Sequence, residues 1–238
     1  MRVDKYQEFD QLDEDDPPVK LQINPKAQRL ILRIDQRTHQ AVVVAPHESL
    51  ASEAFAFARA RRRWIREKLD ALPTRSPFVD GAVAPLRGAP CLLTSEGRGT
   101  RPTFEPGQPS TLRLPGAPET FAERAVRFFK SEAKADLAAA VARHCARLGA
   151  DARRITVKDT RSRWGSCTSD GRLAFSWRVI MAPPFVLDYL AAHECAHLIE
   201  MNHSPVFWKL VADCIGDPMA GRKWLREHGP SLHAYGAG

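Results

Sequence analysis

Residues 183–204 read PPFVLDYLAAHECAHLIEMNHS. The two prolines at the start suit the first turn of a helix, which we expect to continue to about Met201. Within this helix His193 and His197 are one turn apart, so both imidazoles project from the same face. Two such imidazoles can bind a single metal ion. The stretch therefore predicts an active-site helix with the H-E-x-x-H pattern of zinc hydrolases.

Glu194 and His203 complete the predicted site. Glu194 directly follows the first histidine, which places its carboxylate within reach of a metal-bound water without making it a ligand. His203 follows the predicted helix end, where the chain can turn back and supply a third imidazole. Glu227 is the alternative downstream ligand. We expect one Zn²⁺ per chain, held by His193, His197 and His203, with Glu194 as the general base.

The composition is that of a globular protein with a sizeable core. The chain has 238 residues, of which 44% are hydrophobic and 26% charged, which excludes a collagen-like or wholly disordered chain. Every apolar run is shorter than the ~18 residues that a membrane-spanning helix needs, and the N-terminus has no secretory signal pattern. The five cysteines lie far apart without a C-x-x-C pair. We therefore expect a cytoplasmic protein without a membrane partner.

The formal net charge is +7 and is unevenly distributed along the chain. Acidic residues concentrate in residues 1–20, which we expect to form a disordered or loosely attached tail. The remaining chain is correspondingly more basic. A basic surface favours anionic partners, among them nucleic acid and nucleotides.

Beyond the tail, the chain divides by composition into two parts, and no internal repeat is visible. Residues 21–118 are predicted to be a β-rich region with one helix over about 51–70, capped by Ser49. Residues 119–238, the predicted catalytic domain, begin with a long Ala-rich helix that ends near residue 148. Strands and helices do not alternate in a βαβ rhythm, so we expect an α+β fold. The predicted strands are 21–23, 30–34, 41–44, 91–93, 112–114, 155–158 and 172–177.

Several short motifs accompany the histidines and together resemble one known family. They are Arg163-Trp164-Gly165-Ser166-Cys167, Trp177-Arg178, Ala182-Pro183-Pro184, Asp188-Tyr189, His193 to His197, Asn202-His203-Ser204 and Phe207-Trp208. These motifs resemble the YgjP-like family of metal-dependent hydrolases, described as predicted metallopeptidases and related to the SprT-type zincins. The likeness is strong over about residues 150–228 and weaker upstream. It implies a zincin-like fold, in which the active-site helix lies beneath a small antiparallel sheet.

The residues and the resemblance together predict a zinc metallohydrolase, most directly a metallopeptidase that uses a Glu-activated, metal-bound water. One alternative on the same site is a metal-dependent nucleoside triphosphate phosphohydrolase, whose phosphates a group of arginines between Arg153 and Arg178 would bind. Another is a DNA-associated, SprT-like protease. A peptide substrate would lie along a strand edge near Phe175. The candidate substrate-binding residues are Arg161, Arg163, Arg178 and Tyr189.

Overall fold

The structure, a computed structural model, describes residues 6–7, 17–35, 38–72, 74–96, 99, 101–160 and 163–236. These residues form six α-helices and three small sheets, which confirms the predicted α+β class. The chain packs as two compact units, Met1–Thr74 and Arg75–Gly238.

The N-terminal unit contains a four-stranded sheet followed by two helices. The elements are β1 (Tyr6–Gln7), β2 (Val19–Ile23), β3 (Ile31–Asp35), β4 (Gln40–Ala45), α1 (Ala51–Arg59) and α2 (Arg62–Asp70). The order across the sheet is β1-β2-β4-β3, with β2 and β4 parallel and both outer pairs antiparallel. Leu21 and Val43 are partners in the parallel pair, and they share one buried core with Ala58 and Ile65 of the helices.

Two sequence predictions for this unit are wrong in detail. The single helix expected over about 51–70 is two helices, because the chain leaves the helical conformation at Arg61 (φ −115°, ψ 17°). The Arg61 N–H bonds three residues back to the Ala58 carbonyl, which is a tighter turn than an α-helix allows. Ser49 does not cap the first helix. It lies within a 3₁₀ turn, Glu48–Leu50, and α1 has no side-chain cap.

The second unit begins with another four-stranded sheet. Its strands are β5 (Val83–Leu86), β6 (Ala89–Thr94), β7 (Thr103–Glu105) and β8 (Ser110–Arg113), in the order β5-β6-β8-β7. A 3₁₀ turn, Pro118–Thr120, then leads into α3 (Phe121–Leu148), the long helix expected from the sequence. This sheet lies in the compact unit Arg75–Gly238, although its residues fall within the predicted region 21–118. The division into residues 1–20, 21–118 and 119–238 stays a prediction.

A three-stranded sheet follows α3. Its strands are β9 (Arg154–Lys158), β10 (Gly165–Cys167) and β11 (Arg172–Ser176), in the order β10-β11-β9. β10 and β11 are antiparallel, whereas β9 and β11 are parallel. The sheet expected to be antiparallel is therefore mixed, because β10 reverses the chain once between β9 and β11. Within the described residues β10 is an edge strand, since it pairs with β11 alone.

Three helices complete the second unit after a 3₁₀ turn, Trp177–Met181. They are α4 (Pro184–Ala196), α5 (Pro205–Ile215) and α6 (Pro218–Leu232). α4 packs against α3, α5, α6 and β10, and most of its residues are buried. A helix enclosed in this way has apolar side chains on nearly every face, as the sequence of α4 has. Asp188 fastens α4 to α3, since its Oδ1 accepts a bond from Arg143 (2.7 Å) and lies 2.8 Å from His144 Nε2.

Candidate metal centre

His193 lies in the last turn of α4, and His197 is the residue that caps the end of this helix. Their ring centroids lie 5.0 Å apart, with the planes at 84°. α4 ends at Ala196, before the predicted end near Met201, because the chain tightens there: the N–H groups of Leu198 and Ile199 bond to carbonyls three residues back. The H-E-x-x-H motif therefore lies at the end of the helix rather than in its middle, and the loop that follows is adjacent to it.

His203 lies in this loop, between α4 and α5. Ser204 caps α5 by accepting a hydrogen bond from the Phe207 N–H at 3.3 Å, so the loop ends immediately after His203. The His203 Nε2 lies 3.2 Å from the His193 Nε2. The ligand atoms of His193, His197 and His203 all lie within 4.8 Å of one another. The structure thus brings the three predicted ligands together.

The three imidazoles have the spacing that a divalent metal ion requires, and the pKa values of two of them are lowered. Burial, with the neighbouring histidines, lowers the pKa of His193 to about 3, and burial also lowers the pKa of His197. Both rings are therefore neutral at pH 7. The His197 Nδ1 lies 3.1 Å from the Glu200 carbonyl oxygen, so a proton on Nδ1 leaves Nε2 as the ligand atom. Two nitrogens bound tetrahedrally at ~2.0–2.1 Å from zinc lie about 3.3 Å apart, close to the distance between His193 and His203. These residues fit a metal ion.

Phe207 packs against all three histidines. Its ring centroid lies 4.9 Å from that of His193, 4.5 Å from that of His197 and 4.8 Å from that of His203. Phe207 is fully buried and belongs to α5. An apolar ring in this position restricts the imidazole rotamers and keeps water away from one side of the ligands. Phe207 therefore holds the histidine cluster in shape.

Glu194 is buried between α4 and β10. A Cβ atom added to Gly165 of β10 would lie 2.3 Å from the Glu194 Oε1, so this approach requires glycine. Among the described residues no group hydrogen-bonds to the Glu194 Oε2. Burial raises the pKa of Glu194 to about 7, and the positive charge of Arg163 opposes the shift. A carboxyl group with a pKa near neutrality can both accept and release a proton at pH 7.

Two of the predicted substrate contacts lie near this cluster. Arg163 is exposed, and its charge acts on the Glu194 carboxylate. The Tyr189 ring centroid lies 5.8 Å from that of His193, and Tyr189 lines a cavity next to the histidines. Both residues therefore border the site that the histidines form.

The other predicted contacts do not join the cluster. Arg178 is buried; its Nε donates to Asp159 at 3.0 Å and its guanidinium also bonds the Leu232 carbonyl at 3.1 Å, towards the C-terminal segment. Arg161 lies outside the described residues. Phe175 is fully buried in β11, the central strand of its sheet, so the strand edge expected there is wrong. Among the described residues the outer strands of this sheet are β9 and β10, and Gly165 of β10 pairs with Phe175.

Sequence reasoning missed three contributions to the site. It noted Phe207 only within a family motif, although α5 directs this ring onto the ligands. It did not foresee that Gly165 gives Glu194 its space. It also overlooked Arg222, which lines the cavity beside His193 and His203. None of the three has a local sequence signal, because each acts on residues of a different element.

The comparisons with known proteins identify one family. A sequence model of the YgjP-like metallopeptidase domain matches residues 28–228. No curated protein matches the sequence. Among solved structures, the crystal structure of the metallopeptidase zymogen of Pyrococcus abyssi abylysin is 18% identical, with a TM-score of 0.35, and the match covers 39% of this chain and 92% of that chain.

Two further observations bear on the class of protein. In the part of the chain that the structure describes, every helix is too short or too polar to cross a membrane. The family match spans most of the sequence and includes the three histidines and Glu194. The chain therefore belongs to the YgjP-like metallopeptidase family.

Proposed function

We propose that this protein is a zinc-dependent peptidase in which His193, His197 and His203 hold one Zn²⁺ and Glu194 is the general base. The observation that carries the proposal is the convergence of three imidazoles within 4.8 Å, next to a buried carboxylate. A structural zinc site needs no general base, so Glu194 favours a hydrolase.

Zinc suits this set of ligands, because three imidazole nitrogens with an open fourth position are typical of catalytic zinc sites. When bound, the metal would polarise the scissile carbonyl group and lower the pKa of water.

Glu194 would accept a proton from the attacking water at its carboxylate and deliver that proton to the leaving amine. Its Oε2 has no hydrogen-bond partner among the described residues, which supports this role. Gly165 would orient the carboxylate by limiting where Oε1 can lie. Phe207 would keep the imidazoles in position, so that the chain's own packing prepares the site before substrate binds.

A peptide substrate would bind as an added strand on the edge of β10. This edge adjoins Glu194 through Gly165, so a peptide paired with β10 would run past the general base. Arg163 and Tyr189 border the same region and would contact the substrate. Arg161, two residues before Arg163, stays a predicted contact.

The phosphohydrolase and the DNA-associated protease stay predictions for the same site. The family domain is described as a metallopeptidase, which supports a peptide substrate. Two arginines expected to bind phosphates have acidic partners instead: Arg172 pairs with Asp170, and Arg178 pairs with Asp159. The cytoplasmic location and binding of nucleic acid to the basic surface also stay predictions.

Zinc content and casein hydrolysis, measured on the same preparations, test the proposal. We expect about one zinc per chain in the wild type and in Glu194→Gln, with hydrolysis reduced about 10²- to 10⁴-fold in the variant. Glu227→Gln is the matched control, because it makes the same change at the alternative ligand. This control should keep both the zinc and the hydrolysis.

Three results would contradict the proposal. If the wild-type protein binds no zinc, the three histidines are not a zinc site. If Glu194→Gln hydrolyses casein as fast as the wild type, Glu194 is not the general base. Release of phosphate from nucleoside triphosphates, with no hydrolysis of casein, favours the phosphohydrolase.

A further inference from the structure

A cavity of about 290 Å³ opens beside the histidines. Its lining residues are Tyr189, His193, His203, Trp208 and Arg222. Two of these are predicted metal ligands, so a group bound in the cavity would lie next to the scissile bond. Arg222 is the one cation among the lining residues, and neither sequence patterns nor the proposed mechanism uses it.

Arg222 is held in place by stacking rather than by an acidic partner. Its guanidinium carbon lies 5.2 Å from the centroid of the Trp208 ring, and that ring stacks on His203 at 5.9 Å with the planes at 29°. Stacking on an aromatic face orients a guanidinium but leaves its N–H groups free to bind other groups. The side chain is therefore positioned and available.

Several arginines of this unit are instead engaged by carboxylates. Such ion pairs are Arg87 with Asp136 and Glu132, Arg113 with Glu105, Arg143 with Asp188, and Arg178 with Asp159. Among the described residues Arg222 has no ion pair, although it is exposed and lies next to the site. A guanidinium without a partner beside a reaction centre suits an anion brought by the substrate.

The position of Arg222 is determined by the packing of α6 on α4. A Cβ atom on Gly221 would lie 2.4 Å from the Tyr189 Cβ, so the two helices approach this closely only with glycine at 221. The close approach brings the next residue, Arg222, to the wall of the cavity. The packing of the two helices thus fixes the backbone position of Arg222, whose side chain is exposed.

We infer that Arg222 binds a carboxylate of the peptide substrate next to the scissile bond. The inference rests on the proposed peptidase function and adds a preference for acidic peptides to it. A guanidinium binds a carboxylate through two parallel N–H···O bonds, a geometry that rejects the neutral amide. The carboxylate is that of a Glu or Asp side chain or that of the peptide's C-terminus.

The size and charge of the cavity favour a carboxylate over a nucleotide. One guanidinium lines it, whereas a triphosphate carries several charges that need several converging cations. The volume lies at the lower end of the range of pockets that enclose a small ligand, and it accommodates a single side chain. The Trp208 face offers apolar contact to the methylene groups of that side chain.

Two sets of blocked peptides test the inference on the full-length protein. In the first set a single Glu moves through an otherwise neutral sequence, and each peptide is matched by its Gln counterpart. In the second set a free C-terminus is matched by its amide, which distinguishes the two sources of carboxylate. Hydrolysis is measured as kcat/KM, and binding is measured by calorimetry in the Glu194→Gln background, which does not require turnover.

At one position of the acidic group along the peptide, we expect the acid to be preferred over the amide by about 10- to 100-fold in both kcat/KM and affinity. Arg222→Gln should reduce this ratio to about one, and Arg222→Lys should retain part of it. Lys223→Gln is the matched control, because it removes the same charge one residue along α6, outside the histidine cavity. The ratio should survive in this variant.

The outcomes separate the inference from the function on which it rests. Equal kcat/KM and equal affinity for acid and amide in the wild type overturn the inference, as does an equal loss in Lys223→Gln and Arg222→Gln. Arg222-dependent binding of ATP, without a preference among peptides, also overturns it. If no peptide is cleaved but the binding ratio still depends on Arg222, the peptidase function fails and the carboxylate site stands.

Discussion

The two four-stranded sheets of this protein have the same topology, although they belong to different units. The first has the order β1-β2-β4-β3 and the second has β5-β6-β8-β7, each with a parallel central pair and antiparallel outer pairs. In each case a 3₁₀ turn and a helix follow the last strand. Since the sequence has no visible repeat, the likeness lies in the path of the backbone.

The difference between the two regions begins with the helix. α1 has 9 residues and is followed by α2, with which the N-terminal unit ends. α3 has 28 residues and packs on β9 and on α4, the helix that carries His193. The same sheet topology therefore occurs with a small core in one unit and with the candidate metal centre in the other. The chemistry of the second unit therefore depends on the helices and strands that follow its four-stranded sheet.

The largest effect on activity should come from a ligand substitution. His193→Ala removes one of the three imidazoles, and we expect zinc content and peptide hydrolysis both to fall below detection. His47→Ala, an exposed histidine in the N-terminal unit, is the matched control and should change neither. Atomic absorption and a hydrolysis assay on the two variants make the measurement. If His47→Ala also loses zinc, zinc binding is not confined to the second unit, and this prediction is contradicted.

A smaller effect should follow from filling the space beside Glu194, the proposed general base. Gly165→Ala adds a methyl group 2.3 Å from the Glu194 Oε1, so the carboxylate must move. We expect kcat to fall about 10²-fold, because a displacement of about 1 Å in a catalytic group has such an effect, whereas the zinc should remain. Ser166→Ala, in the same strand, adds no volume and should retain activity. Wild-type kcat in Gly165→Ala would show that the Glu194 position is not critical.

The smallest effect on activity should come from core substitutions at equivalent positions of the two sheets. Leu112 pairs with Leu93, and Val43 pairs with Leu21, at the centres of the parallel pairs. We expect Leu112→Ala to lower the free energy of unfolding by about 2–5 kcal/mol and Val43→Ala to lower it by about 1–3 kcal/mol.

Zinc release during chemical denaturation distinguishes these two substitutions. Release should occur at lower denaturant concentration in Leu112→Ala, since that residue lies in the same core as α4. It should be unchanged in Val43→Ala, which lies in the other core. If both substitutions lower the denaturant concentration for zinc release equally, the two units unfold together. The likeness between them would then be limited to sheet topology.

The sequence was most informative where one element carries the whole pattern. His193 and His197 lie on one face because helical periodicity alone places residues four apart together. The long helix α3 follows in the same way from its apolar periodicity. Predictions were wrong for the helix break at Arg61, which the local apolar pattern does not mark, and for Phe175, which lies in a central strand rather than at an edge.

The candidate site divides along the same line. The histidines and Glu194 were predicted from spacing and from the resemblance, whereas the surroundings of Arg178 and Tyr189 could not be. Both residues are buried, but Arg178 bonds to Asp159 and the C-terminal segment, and Tyr189 borders the histidines. Nothing in their local sequence distinguishes these two environments, because the partners come from distant parts of the chain.

The amino-acid sequence was sufficient to predict the candidate reactive groups: three imidazoles and a carboxylate, which one helix and the following loop present. The tertiary structure alone decided how these groups are held. Gly165 of β10 meets Glu194, Phe207 of α5 meets the histidines, and Arg222 of α6 stacks on Trp208. The two kinds of information differ because they act over different separations along the chain. Helical periodicity acts within a single turn, whereas close packing depends on the shapes of side chains from elements far apart in the chain.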